Sequence, residues 1–412
     1  MNVLMISAKF PYPATRGGTE IRTFYCLEAL KAEHHVTLLT FREDYVTDAE
    51  VEALQAHVDE LVVFDAPQNA APGLAAKLNR LAGFVTTGTP PNIHYYYSDA
   101  VQAWVDEAIA QNRFDAITCE HSVNALYIRP EWKEKVRTVI NVHSSDYCTK
   151  RSNLDLGITD NVWRDRLTLP LLRRYESDTY RKFTTVAVTT ADDETQIQEM
   201  VAGLHSVIIP NGVDLEEFSF RTTEPAGRQL IFTGTFDYSV NIDTALYLAQ
   251  EIFPQVQARY PEATLAIVGN RPADCVKTLA DRPGIIVTGR VPSLADALHQ
   301  SALFIAPMRA GYGIKNKTLE AMAAGVPIVG SDRALEGLDI GDLPTEATSQ
   351  EPAPHPLRAL RANSTDEFVT AIFQLFEDPN LRQSLAHNSR VYMERSFTWT
   401  KLGEQYRQAV TG

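Results

Sequence analysis

Short apolar runs rich in valine, isoleucine and leucine recur along the chain, separated by stretches whose apolar positions follow helical spacing. In the first half the runs at residues 3–7, 35–41, 61–64, 116–119, 138–142, 186–189 and 207–210 read as buried strands. Helical patterns at 19–32 and 49–58 lie between them. This alternation predicts a doubly wound α/β domain on a parallel sheet. Asn211-Gly212 is strong turn chemistry, and the polar, aperiodic residues 219–228 that follow read as a linker. A second alternating series then begins, with strands at 230–233, 264–268, 285–288, 303–306 and 327–330 and helices at 241–259 and 294–300. Two Rossmann-like domains in series follow from the pattern. Residues 66–73 and the proline-rich 342–356 read as exposed loops, and helical patterns from Thr365 close the chain.

A length of 412 residues is enough for two domains with separate cores. A net charge of -14 argues against a general nucleic-acid binder. The densest basic cluster is Arg164, Arg166, Arg173, Arg174, Arg181 and Lys182; Glu176 and Asp178 among them predict a salt-bridged, solvated helix. Cys26, Cys119, Cys148 and Cys275 lack the spacing of a zinc site or redox dithiol and read as reduced core thiols of a cytoplasmic protein. The opening apolar run is too short for a signal peptide, and no run approaches the ~18 apolar residues of a membrane span. A soluble protein is expected, with peripheral membrane contact left open.

The richest stretch in chemistry is 303–332: a strand, a glycine turn with two lysines, a helix carrying one carboxylate and a second strand. Such a loop points, with the positive end of its helix, beyond the carboxyl ends of the strands. Gly311 and Gly313 allow backbone N–H groups to approach an anion, and Lys315 and Lys317 bring charge to the same turn. Glu320, expected to be kept ionised by the helix start, suits the vicinal hydroxyls of a ribose. Residue by residue, a solvated turn with Glu320 paired to a lysine fits equally well.

Three further places follow strand ends. Arg16, Gly17 and Gly18 precede the first helix, where free N–H groups suit a phosphate or sugar hydroxyl. His143 follows the strand at 138–142 and can donate to a sugar oxygen or support developing charge, with Asp146 placed to orient it. Glu120 and His121 occupy the same kind of position one strand earlier and carry less weight. Gly234 and Thr235, with Asn241 opening the next helix, form the first turn of the second domain. Gly269-Asn270 and Gly289-Arg290 end neighbouring strands and would frame a nucleobase pocket, with the backbone of Arg290-Val291 reading the base.

Together, the Gly17-Gly18 pair, the IPNGVD segment at 209–214, the strand and turn at 232–235 and KTLEAMAAGVPIVGSD at 317–332 resemble the retaining, nucleotide-sugar-dependent glycosyltransferases of the GT-B fold, family 4. The resemblance implies an α/β architecture of two Rossmann-like domains facing a cleft. Residues 1–214 would bind the acceptor and 215–390 the nucleotide sugar, and 391–412 would hold a helix crossing back to the first domain. It implies a UDP- or GDP-sugar donor, a hydroxyl acceptor (sugar, lipid-linked glycan or small molecule), no metal and no other cofactor. By this match Glu320 holds the donor ribose, His143 the sugar, Lys315 and Lys317 the diphosphate, and Arg16, Gly17 and Gly18 assist. Gly234, Thr235, Asn241, Gly269, Arg290, Val291, Gly311, Tyr312, Gly313, Ile314, Asn316 and Thr318 line the donor.

Two departures stand out. Many members place another glutamate eight residues before the ribose carboxylate, where this chain has Tyr312. Many also carry an arginine and a lysine after the Gly234-type turn, where this chain has Thr235 and Asn241. A retaining hexosyltransferase of glycan, glycolipid or glycoside biosynthesis is the leading expectation. A non-catalytic nucleotide-sugar-binding subunit of a partner transferase, and an epimerase on a similar scaffold, remain alternatives. The residues at 83–98, with Tyr95, Tyr96 and Tyr97, suit either an acceptor platform or core.

Overall fold

The computed structural model describes residues 1–67, 84, 88–157, 159, 161–341 and 356–412. The loops expected at 66–73 and 342–356 fall almost wholly outside the described residues, as does part of the 83–98 segment. The chain forms two compact units, Met1–Pro210 with Thr400–Gly412, and Asn211–Trp399.

The first unit holds seven parallel strands: β1 (Asn2–Ser7), β2 (His35–Arg42), β3 (Glu60–Asp65), β4 (Ala116–Glu120), β5 (Arg137–Asn141), β6 (Thr185–Val188) and β7 (Ser206–Ile208), in the order β3-β2-β1-β4-β5-β6-β7. β1 is buried at every position after Asn2, as expected for a strand covered on both faces. Leu402, Tyr406, Ala409 and Val410 lie at helical spacing on the last helix, Trp399–Thr411, and enter this unit's core beside Val3, Met5 and Leu27.

The second unit holds six parallel strands: β8 (Gln229–Thr233), β9 (Thr264–Val268), β10 (Ile285–Gly289), β11 (Leu303–Ala306), β12 (Ile328–Gly330) and β13 (Leu360–Arg361), in the order β10-β9-β8-β11-β12-β13. The two-residue β13 gives no pattern that sequence reasoning can detect. The helix expected at 241–259 is three pieces: Ser239–Tyr247, a π turn Leu248–Ile252 and Phe253–Arg259. Pro254 has no N–H to continue the helical ladder, and the wider turn absorbs the defect.

The unit boundary lies at 210/211, four residues before the expected 214/215, and residues 391–399 stay with the second unit. The reason is local: Val213 bridges Thr398, and a Cβ on Gly212 would fall 2.6 Å from the Trp399 ring. Among the cysteines, Cys26, Cys119 and Cys148 are buried, whereas Cys275 is exposed rather than in the core. Among the described residues no helix is long and apolar enough to cross a membrane.

Candidate functional site

In the second unit the strand order reverses between the neighbours β8 and β11, so the turns after these two strands meet at a topological switch point. Gly234 and Thr235 follow β8; the segment from Gly311 to Lys317 follows β11. Gly311 at φ +108° and Gly313 at φ +69° occupy backbone conformations that favour glycine. The helix Asn316–Ala323 then starts without a side-chain cap and without an acidic residue in its first turn, leaving its positive end unneutralised by its own sequence. The Asn211 amide of the NGVD segment donates to Asn316 Oδ1 at 2.7 Å and so fixes that start.

Lys317 is the centre of this arrangement. Its Nζ donates to Asn241 Oδ1 at 2.6 Å, lies 4.6 Å from the Phe232 ring centroid and stands 3.1 Å from where a Gly234 side chain would begin. Asn241 Nδ2 in turn donates to the Thr235 carbonyl at 2.8 Å. Among the described residues no carboxylate forms an ion pair with Lys317. Desolvation lowers its pKa to about 7, against an opposing pull from Glu320.

Glu320 differs from expectation. It lies a full turn inside the helix, too deep for the helix start to dominate, and burial, with Glu217 adding repulsion, pushes its carboxyl up to about 7. No hydrogen-bond donor meets it among the described residues. A diol arriving there would supply the missing donors.

Lys315 also departs from its expected part. Its Nζ donates to the Gly313 carbonyl and pairs with the buried Glu336 at 3.0 Å, so its charge is met within the protein and it buttresses the glycine turn. The Thr318 hydroxyl is likewise spent, donating to the Ala334 carbonyl at 2.9 Å. Ile314 is buried. Gly269, at φ +147°, touches the β8 turn directly: a Cβ there would fall 1.8 Å from the Gly234 carbonyl oxygen. Gly269 and Gly234 therefore set the floor of the site by close backbone approach. Arg290 is exposed at the carboxyl end of β10, with Val291 half-buried beside it.

In the first unit the switch lies between β1 and β4. Gly17 and Gly18 follow β1, but the Glu20 carboxylate folds over them, 2.6 Å from where a Gly17 Cβ would stand. Arg16 is bonded to Glu50 Oε1 at 2.6 Å and lies over the Tyr45 ring, while its Nη1 is buried without a hydrogen-bond partner among the described residues. His143 and His121 meet edge to face at 5.3 Å between ring centroids. Burial lowers the His143 pKa to about 4, with Glu120 pulling the other way, so the ring is neutral near pH 7 and cannot support charge as an imidazolium. Its Nε2 stands 3.8 Å from the Glu120 carboxylate, beyond hydrogen-bond length.

His121 gains weight from the structure. Its backbone sits at φ +76°, ψ +150°, a region almost reserved for glycine, at the carboxyl end of β4. Sequence reasoning had only its position to go on, since backbone strain has no signature in residue type. Beneath both rings Glu120 is sealed: it accepts from Tyr406 Oη and, at 2.8 Å, from Asn141 Nδ2. Arg22 donates to Asn141 Oδ1 at 2.8 Å and to the carbonyls of Ile209 (2.8 Å) and Pro210 (2.9 Å). Among the described residues no three His, Cys, Asp or Glu side chains gather as a metal site.

Comparison with known proteins follows the same division. Residues 16–217 match the family described as Glycosyltransferase Family 4, and residues 227–378 the one described as Glycosyl transferases group 1. The chain belongs to the family 4, group 1 glycosyltransferases. A phosphatidyl-myo-inositol mannosyltransferase of Mycobacterium tuberculosis is 28% identical over 169 residues, 38% of this chain and 44% of that protein. The match thus spans less than half of the curated relative's length. Sucrose-phosphate synthase from Thermosynechococcus elongatus superposes with a TM-score of 0.67 at 17% identity, covering 99% of this chain and 97% of the other. Anabaena HepE in complex with UDP-glucose gives 0.61 at 14% identity, covering 99% and 98%. These likenesses establish the GT-B fold.

Within this glycosyltransferase the two departures from the family pattern now have structural settings. The Tyr312 ring, in place of a glutamate, carries the Arg333 guanidinium 5.4 Å from its centroid, and Arg333 reaches Glu336 at 3.4 Å. Asn241, in place of a basic residue, is the neutral acceptor that holds Lys317. The cation missing from the β8 turn is replaced by one reaching across from the β11 turn.

Proposed function

We propose that this glycosyltransferase moves a sugar from a UDP- or GDP-sugar to a hydroxyl acceptor, with retention of anomeric configuration and without a metal ion. The observation that carries this reading is Lys317: a desolvated amine with no carboxylate partner among the described residues, beside an uncapped helix start and two glycine turns. A half-buried, desolvated cation in that setting gains most from an arriving anion.

In this mechanism Lys317 and the start of helix Asn316–Ala323 meet the diphosphate, and Glu320 accepts hydrogen bonds from the ribose hydroxyls. The bond from the anomeric carbon to phosphate oxygen breaks with its electron pair going to the diphosphate, through an oxocarbenium-like transition state. The acceptor oxygen attacks the same face, and its proton passes to the departing phosphate oxygen, so no protein nucleophile is required. Lys317 stabilises charge as it builds on the leaving group. The similarity to a phosphatidyl-myo-inositol mannosyltransferase favours a lipid-linked hydroxyl acceptor in glycan or glycolipid biosynthesis.

Calorimetric titration with UDP and GDP tests the assignment. Glu320→Ala and Lys317→Met should each weaken the preferred nucleotide by about 2 kcal/mol, the scale of a charged hydrogen bond. Unchanged affinity in both variants would remove the basis for the site.

A further inference from the structure

The arginine-rich helix Val162–Tyr180 does not have the charge arrangement its sequence suggests. Glu176, which should neutralise the cluster, is buried: it accepts from Ser145 Oγ at 2.5 Å and from the Tyr147 N–H at 3.1 Å. Asp165 is buried too, held by Lys150 at 3.2 Å and Arg164 at 2.9 Å. The outer stripe of the helix, at spacings of three and four residues, reads Trp163, Arg166, Leu167, Pro170, Arg173 and Arg174, all exposed and without an acidic member. Trp163 is 83% exposed and Leu167 63%, values that leave both side chains without a packing role among the described residues. Arg174 meets Asp178 at 3.8 Å, but among the described residues neither Arg166 nor Arg173 has an ion-pair partner.

We propose that this stripe is a docking face for a membrane surface containing anionic lipid. Indole and leucine side chains suit the boundary between headgroups and acyl chains, and the arginines between them match anionic headgroups. The protein carries a net charge of -14, so an anionic surface repels most of it and attracts this stripe, which fixes the approach. A second copy of the chain fits worse: packing the stripe against itself would oppose arginine to arginine, and Asp178 is already paired.

Sedimentation of the full chain with vesicles of phosphatidylcholine, alone or mixed with phosphatidylglycerol, tests it. Binding is expected only to the mixed vesicles and should fall as salt is raised. The double variants Arg166→Glu/Arg173→Glu and Trp163→Ser/Leu167→Ser should each bind at least about tenfold more weakly, with circular dichroism and nucleotide affinity unchanged. Bromine-labelled lipid should quench tryptophan emission of the wild type and do so much less in Trp163→Phe. Absence of binding to the mixed vesicles, or equal binding by the variants, overturns the proposal. So does a lipid-free dimer that Arg166→Glu/Arg173→Glu dissociates, which would assign the face to a second copy.

Discussion

Lys317 and Glu320 lie three residues apart on one helix, and burial moves both toward neutrality at about pH 7. For the lysine this is a downward shift, so between about 7 and its ordinary value the unfolded chain holds more protons and stability rises with pH; for the glutamate the shift is upward, and stability falls as pH rises toward about 7. Ligand binding demands the opposite states, an ammonium under the diphosphate and a carboxylate on the ribose. In the wild type, proton uptake at one group and release at the other should nearly cancel. Lys317→Met leaves only the release, so its UDP or GDP affinity should fall as pH drops below about 7. Glu320→Gln leaves only the uptake, so its affinity should fall as pH rises above about 7. Titrations across this range check both slopes; parallel profiles in the two variants would show that neither group is linked to the nucleotide.

Among the elements, the turns after β8 and β9 are the least tolerant. Gly269→Ala combines a backbone at φ +147° with a side chain 1.8 Å from the Gly234 oxygen. It should cost about 3 kcal/mol or more of stability and displace Lys317 through Gly234. Gly289→Ala, at φ +66° with open space around it, should cost only about 1 kcal/mol and leave the position of Lys317 unchanged. Urea denaturation and nucleotide titration of the pair separate the two outcomes.

The same turns show how far sequence reasoning reaches. Strand-turn-helix order is local, so apolar runs and glycines placed the turns after β8 and β11 correctly. Which lysine stays available is not local. Glu336, 21 residues beyond Lys315, takes that lysine and leaves Lys317, and only the fold brings it there. Arg16 likewise meets a carboxylate distant in sequence, Glu50, 34 residues away. The close approach of Gly269 to Gly234 is not legible in the sequence, because it links two separate strands. The interruption of the helix before Pro254 was legible in principle, from the proline itself.

At the scale of the whole molecule, the two units carry sheets with the same kind of strand reversal, and each presents its chemistry at the reversal. In the first unit Tyr406, Glu120, Asn141 and Arg22 form one buried chain from the last helix to the carbonyls of Ile209 and Pro210. Tyr406 is fully buried, and its contact with Glu120 explains why the helix holding Leu402 and Val410 packs in one register. In the second unit, among the described residues, Lys317 has a neutral amide but no carboxylate as partner and Glu320 meets no hydrogen-bond donor. Polar groups are completed where the fold must be specified and left open where a ligand is to be held.

The most direct test of the central claim is donor turnover. The purified chain, incubated with a panel of UDP- and GDP-sugars and an excess of EDTA, should release nucleoside diphosphate from one donor. Nuclear magnetic resonance of the product formed with an acceptor should show the donor's anomeric configuration, and Lys317→Met should abolish release. Inversion at the anomeric carbon, loss of turnover in EDTA, or binding of the donor without any cleavage would contradict the account.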